Sequence, residues 1–215
     1  MPKPPISARA AFNLCAGHPV LDLVNTLDNR FAAAGPSELL ADYGDLLSFV
    51  AQSGLLSAAG QRLLARVKPE AGLKALRSAQ QLREAAAAVL YAAVDGHAPR
   101  PADVRTLEHH FLEAMRHRKL HWERYAREGQ MRGEIRWGWD GVHARAQLPV
   151  WLLASATSDL LLSRPLERLR ACAVETCRWL FLDTSKNHTR RWCDMRVCGN
   201  RMKAQRFLAR REDSR

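Results

Sequence analysis

Four cysteines within 27 residues constrain this chain more than any other feature: Cys172-x4-Cys177-x15-Cys193-x4-Cys198. Two close pairs separated by a loop are the usual way to bring four thiolates to one point, and four thiolates suit the soft, tetrahedral preference of zinc. Disulfides are the competing use of clustered cysteines, but they belong to secreted chains. The stretch from Met1 to Ala10 is Pro-rich and lacks the apolar segment of a secretory signal, so the metal-binding reading is expected. Buried free thiols or an iron–sulfur cluster are the other readings, although the spacing is unlike the ferredoxin patterns. With four protein ligands the coordination shell is closed, so Cys172, Cys177, Cys193 and Cys198 are expected to hold one structural Zn2+. His188, between the pairs, is the alternative ligand, but is expected instead at the surface or on a phosphate. Cys15 stands alone and is expected to be a free thiol.

The cysteine-bearing quarter also carries most of the charge. Residues 164–215 hold 14 basic and 6 acidic side chains, against 19 and 16 in residues 1–163, within a chain of net charge +11. Such an excess favours a polyanionic partner. A disordered basic tail fits poorly, because Trp179, Leu180, Phe181, Trp192, Phe207 and Leu208 are interleaved with the charges. The longest apolar stretch, Leu148 to Leu162, contains Ser155, Thr157, Ser158 and Asp159 and falls short of the ~20 residues needed to cross a bilayer. A cytoplasmic, nucleoid-associated location with no membrane partner is the expectation.

Upstream of Ser163 the periodicity is helical. Residues 1–11 read as a flexible lead, 12–163 as a helical domain and 164–215 as a zinc module. Pro19 suits the first position of a helix. Ser37 is expected to cap a helix running to about Ser53, and further helices are expected near 57–68, 70–94, 102–118 and 149–162. In the fourth of these six, Ala75, Ala79, Leu82, Ala86, Val89 and Ala93 form a small-residue stripe. Between Leu120 and Asp140 the text changes to alternating Arg and aromatic residues, and Gly129 is placed to turn a short β-hairpin. The expected fold is therefore mainly α, with a small hairpin and a treble-clef-like C-terminal zinc finger of short strands and a helix.

Within the module, Arg178 to Asp183 alternates like a short strand and a helix is expected from about Cys198. Lys203, Arg206 and Arg210 share one face of that helix, with Ala204, Phe207 and Leu208 on a face suited to packing on the strands. A basic face of this kind neutralises phosphates and can enter a duplex groove. Arg178, Lys186, Arg190, Arg191, Lys203, Arg206 and Arg210 are the expected DNA-binding residues. Asn200 and Arg201 follow a ligand cysteine directly, where supporting the knuckle is at least as good a role as touching a base.

Cys198-Gly199-Asn200-Arg201, with Trp179-Leu180-Phe181-Leu182-Asp183, Ser185, Arg190-Arg191-Trp192-Cys193 and Met195, resembles the CGNR zinc-finger family. Leu21-Asp22, Asn25-Thr26, the leucine-rich segment after Ser37, Trp137-Gly138-Trp139 and Leu148-Pro149 resemble the ABATE domain that precedes this finger. The resemblance implies a bacterial transcriptional regulator in which the finger binds DNA and the upstream domain senses a ligand or stress.

His18, Asp22 and Asn25 share one face of the first expected helix and, with Thr26 and Arg30, form a candidate site for a small anion or polar metabolite. Hydrogen bonding inside the core is the other use of these side chains. No Gly-rich phosphate loop, G-x-S-x-G elbow or H-E-x-x-H pair is present, so no enzymatic activity is expected. RNA binding by the same basic surface, or a protein-interaction module with a purely structural zinc clip, are the alternatives. One small finger buries little surface for specific recognition, so a homodimer is expected to help.

Overall fold

The computed structural model describes residues 11–127, 130–139 and 141–212, with the side chains of 127, 130, 206 and 208–212 left aside. The expected lead, the turn at Gly129 and the side chains of Arg206, Leu208 and Arg210 therefore lie outside the described residues. In chain order the elements are α1 (Pro19–Asn25), β1 (Leu27–Asp28), β2 (Ser37–Glu38), α2 (Tyr43–Gln52), α3 (Ala58–Leu64), α4 (Pro69–Asp95) and α5 (Pro101–Arg116). Then come β3 (Lys119–Arg127), β4 (Gln130–Gly138), α6 (Leu148–Leu161), β5 (Leu169–Ala171), β6 (Leu180–Leu182) and α7 (Asn200–Glu212). The fold is mainly helical, with three two-stranded antiparallel pairs. No described helix is long and apolar enough to cross a membrane.

Local signals start several of these helices where the sequence places them. Proline opens α1, α4, α5 and α6 within the first two positions, where its missing N–H costs nothing. Ser57 caps α3 through the Gly60 N–H, and Gly96 ends α4 in the left-handed conformation, with φ 74°. Ser37 departs from expectation. It pairs with Asp28 in the β1–β2 ladder, and α2 starts only after Asp42. There Asp42 accepts from the Asp45 N–H and Asp45 reaches back to Asp42, a reciprocal cap that outcompetes a serine five residues earlier.

Val20, Leu21, Leu23 and Val24 are buried, and so are Asp22 and Asn25 on its polar face, so α1 runs through the interior. It packs on α4, on α6 and on β6 from the C-terminal module. Ala75, Ala79, Leu82 and Ala86 of α4 are buried as the stripe requires, and their small size lets the helices approach closely. At the end of α4 the buried residues are Leu90 and Ala92 rather than Val89 and Ala93, because the last turn meets β5. One buried cluster thus runs from α1, α4 and α6 into Leu169, Leu180, Phe181 and Leu182. The finger has no separate core, as ~50 residues could scarcely build one.

Candidate metal centre and the basic finger

β5 and β6 pair in register Leu169↔Leu182, Arg170↔Phe181 and Ala171↔Leu180, and the Cys172 N–H continues the ladder onto the Trp179 carbonyl at 2.9 Å. This places Cys172 at the end of the ribbon. A tight turn follows, in which the Cys177 and Arg178 N–H groups both donate to the Val174 carbonyl at 2.9 Å. The second pair is attached through the Ala173 N–H on the Arg191 carbonyl, also 2.9 Å. Cys198 comes in on a π-helical turn, Met195–Gly199, which Asp194 caps through the Arg196 N–H and which runs straight into α7.

All four sulfurs are buried and lie within 4.8 Å of one another. Cys177–Cys193 and Cys193–Cys198 are each 3.7 Å apart, far beyond a disulfide bond. A metal–sulfur bond of about 2.3 Å in a tetrahedron gives a sulfur–sulfur edge near 3.8 Å, so this spacing fits one zinc ion. As thiols the side chains hydrogen-bond to one another: bonds from Cys177 and Cys193 hold the Cys172 thiol well below its ordinary value, and the bond to Cys172 pushes Cys177 up. A divalent cation would bind all four as thiolates.

The finger is joined to the helical part by a polar seam. The Asn25 Nδ2 donates to the Leu180 carbonyl at 2.9 Å, and the Leu180 N–H donates to Asn25 Oδ1 at 3.0 Å. One side-chain amide therefore acts as a strand partner for β6. The Leu182 N–H donates to the Ala16 carbonyl at 2.8 Å, and the Trp179 indole N–H to Asp28 at 2.9 Å. Asp183, buried at the end of β6, accepts from the Ser185 hydroxyl and from the Ser185 and Arg190 N–H groups. The Ser185 hydroxyl is the main cause holding its carboxyl below the ordinary value.

The expected DNA-binding residues separate into two sets. Arg178 turns toward the helices: it pairs with Asp95 at 2.7 Å and lies over the Phe31 and Tyr91 rings, while Tyr91 donates to its carbonyl. Arg190 also turns inward, stacking over Phe181 at 4.3 Å and donating to the carbonyls of Trp192, Cys193 and Cys15. Lys186, Arg191 and Lys203 are exposed. Arg196 and Arg201, which the charge pattern did not single out, are exposed beside them. None of these five is ion-paired among the described residues. Asn200 donates to the Arg196 carbonyl at 3.0 Å and so braces the turn. His188 lies outside the cysteine cluster, with Nδ1 at 3.2 Å from the Asp183 carbonyl.

The face expected to pack α7 onto the strands does not do so: Ala204 and Phe207 are exposed. Among the described elements α7 packs broadly only on the π-turn that precedes it. At 13 residues it is about 20 Å long, and Met202 in its first turn is half-buried against the core. The strands it was expected to cover already pack elsewhere, β6 on α1 and β5 on α4.

The candidate effector residues each bond to the protein itself. His18 accepts from the Val20 N–H, and burial holds its pKa below the ordinary value. Asp22 accepts from the Ala16 N–H at 3.0 Å, and burial raises its carboxyl to about 6. Thr26 donates to the Leu23 carbonyl and accepts from Arg83, while Arg30 pairs with Glu84. Arg83, absent from the sequence reading, is buried inside α4 and grips both Glu38 oxygens at 2.7 Å. Cys15, not a member of the cluster, sits beside Cys193.

Residues 17–164 match the ABATE family, described as a putative stress-induced transcription regulator, and residues 168–211 match the CGNR zinc finger. No curated protein matches the chain.

Proposed function

The chain belongs to the ABATE family and carries a CGNR zinc finger, and from that premise we propose a regulator that binds duplex DNA through the finger without catalysing a reaction. The observation that carries this reading is α7. It follows directly on a zinc-ligand turn, with Arg196, Arg201 and Lys203 exposed at its root and Lys186 and Arg191 on the adjoining loop. An α-helix fits the major groove, and arginine is the side chain best able to grip both phosphate and guanine. Zinc holds the loop and the helix root together, so the metal positions the contact surface and does no chemistry.

The helical part supplies the regulation. A ligand or stress that shifts α1 moves β6 with it through the Asn25–Leu180 pair, and so re-aims the finger.

The test is fluorescence anisotropy of the zinc-loaded protein on duplex DNA and on single-stranded RNA of matched length. Arg191→Glu with Lys203→Glu should weaken duplex binding at least about tenfold while zinc content stays unchanged. Preference for the single strand would favour RNA. Equal affinity of variant and parent, or no binding to either nucleic acid, would leave the finger as a structural clip.

A further inference from the structure

β3 and β4 form a ribbon of nine-residue strands whose two faces differ sharply. The register pairs Leu120 with Trp137, Trp122 with Ile135, Arg124 with Gly133 and Ala126 with Met131. Alternation along a strand therefore puts Leu120, Trp122, Met131, Ile135 and Trp137 on one face. The opposite face carries Glu123, Arg132, Glu134 and Arg136, with Arg136 ion-paired to both glutamates. The Trp122 ring lies across Gly133, where a Cβ would come within 2.1 Å of it, so the apolar face is flat at its centre.

That face is open to solvent. Leu120 is 60% exposed, Trp122 65%, Met131 63%, Ile135 64% and Trp137 46%. Large side chains bury roughly 150–250 Å² each, so on the order of 600 Å² of apolar surface is uncovered. This equals the largest patches found on ordinary monomers, about 300–600 Å². Among the described elements no helix or strand packs broadly on the ribbon beyond its own partner strand. A two-stranded ribbon with one bare apolar face is marginal in water.

We propose that this face packs against the same face of a second copy of the chain, making a two-fold dimer whose interface is ribbon on ribbon. Two such faces remove about 1,200 Å² from water, the lower bound of a stable specific interface. A two-fold contact is self-complementary, and both faces are apolar, flat and of equal length. Two cations border the face: Arg124, whose long stem lets its head reach the solvent at the ribbon edge, and Arg118, whose guanidinium lies 5.0 Å from the Trp137 ring at one end. The dimer does not depend on nucleic-acid binding.

Sedimentation velocity of the zinc-loaded full chain, 24.2 kDa, tests it over a concentration series. The parent should sediment as a dimer of twice that mass. Trp122→Glu and Ile135→Glu should each weaken dimerisation at least about 30-fold, with circular dichroism and zinc content unchanged. Both positions project from the body, so the rest of the fold is not at stake. Leu112→Glu, on the exposed side of α5, should leave the dimer intact. A monomeric parent overturns the proposal, including one that binds phospholipid vesicles through Trp122. So does a dimer that survives both ribbon variants, or one that Leu112→Glu dissociates.

Discussion

Replacing Asn25 with alanine tests whether the finger and the helical part are one folding unit. Asn25 is buried, and its amide occupies both the N–H and the C=O of Leu180, itself fully buried. Truncation leaves a donor and an acceptor unsatisfied, at about 1–3 kcal/mol each. The predicted loss is therefore about 2–6 kcal/mol, a large share of a domain's net stability. Urea unfolding at fixed free zinc, followed in parallel by tryptophan fluorescence and by zinc release to a chromogenic chelator, measures it. Both transitions should move together to lower urea. Asn25→Asp gives the control. At neutral pH it sets a carboxylate against the Leu180 carbonyl and should cost at least as much as alanine. Protonation restores a donor, so part of that loss should return as the pH falls. A change below about 0.5 kcal/mol for Asn25→Ala, or no pH-dependent recovery in Asn25→Asp, would refute the seam.

Other consequences follow from individual side chains. Cys198→Ser removes one of four ligands, so zinc should be released and the finger's protease resistance lost; full metal retention would contradict the four-sulfur site. Asp22 has a folded pKa of about 6 against an ordinary 3.8, so the folded chain holds a proton there that the unfolded chain has shed. Its contribution is most favourable below about pH 4 and is lost as the pH rises through 6. Asp22→Asn, which keeps an acceptor for the Ala16 N–H, should therefore stabilise by up to about 3 kcal/mol at pH 8 and by little at pH 4, read as the difference in thermal unfolding. Arg83→Ala leaves Glu38 without its guanidinium while Glu84 keeps Arg30, and should cost about 1–3 kcal/mol by urea denaturation; a neutral result would mean that water replaces the guanidinium.

The parts legible in the sequence are those fixed by local chemistry. Proline at a helix start, glycine at a helix end, alternation in a ribbon and thiol spacing act over a few residues. Hence α1, α4, α5, α6, the β3–β4 hairpin and the cysteine cluster were all readable. What was not readable depends on partners distant in the chain. Asn25 meets Leu180 across 155 positions, and Arg83 meets Glu38 across 45. Arg190 and Arg191 are neighbours of one residue type, yet only Arg190 has the Phe181 ring and three carbonyls within reach. The face of α7 was misjudged because the strands it was to cover are taken by α1 and α4, elements far away in the chain. The ribbon's alternation was visible, but not that its apolar face would be left bare.

The most direct test of the central claim is the salt dependence of duplex binding by the zinc-loaded full chain. Five exposed cations on the finger, none of them ion-paired among the described residues, give a slope of log affinity against log salt of about −3 to −5 per copy. That slope, lost on zinc removal and reduced by Lys203→Glu, is the predicted result. Weak binding with a flat slope would contradict the account, and would mean that the exposed basic surface serves something other than nucleic acid.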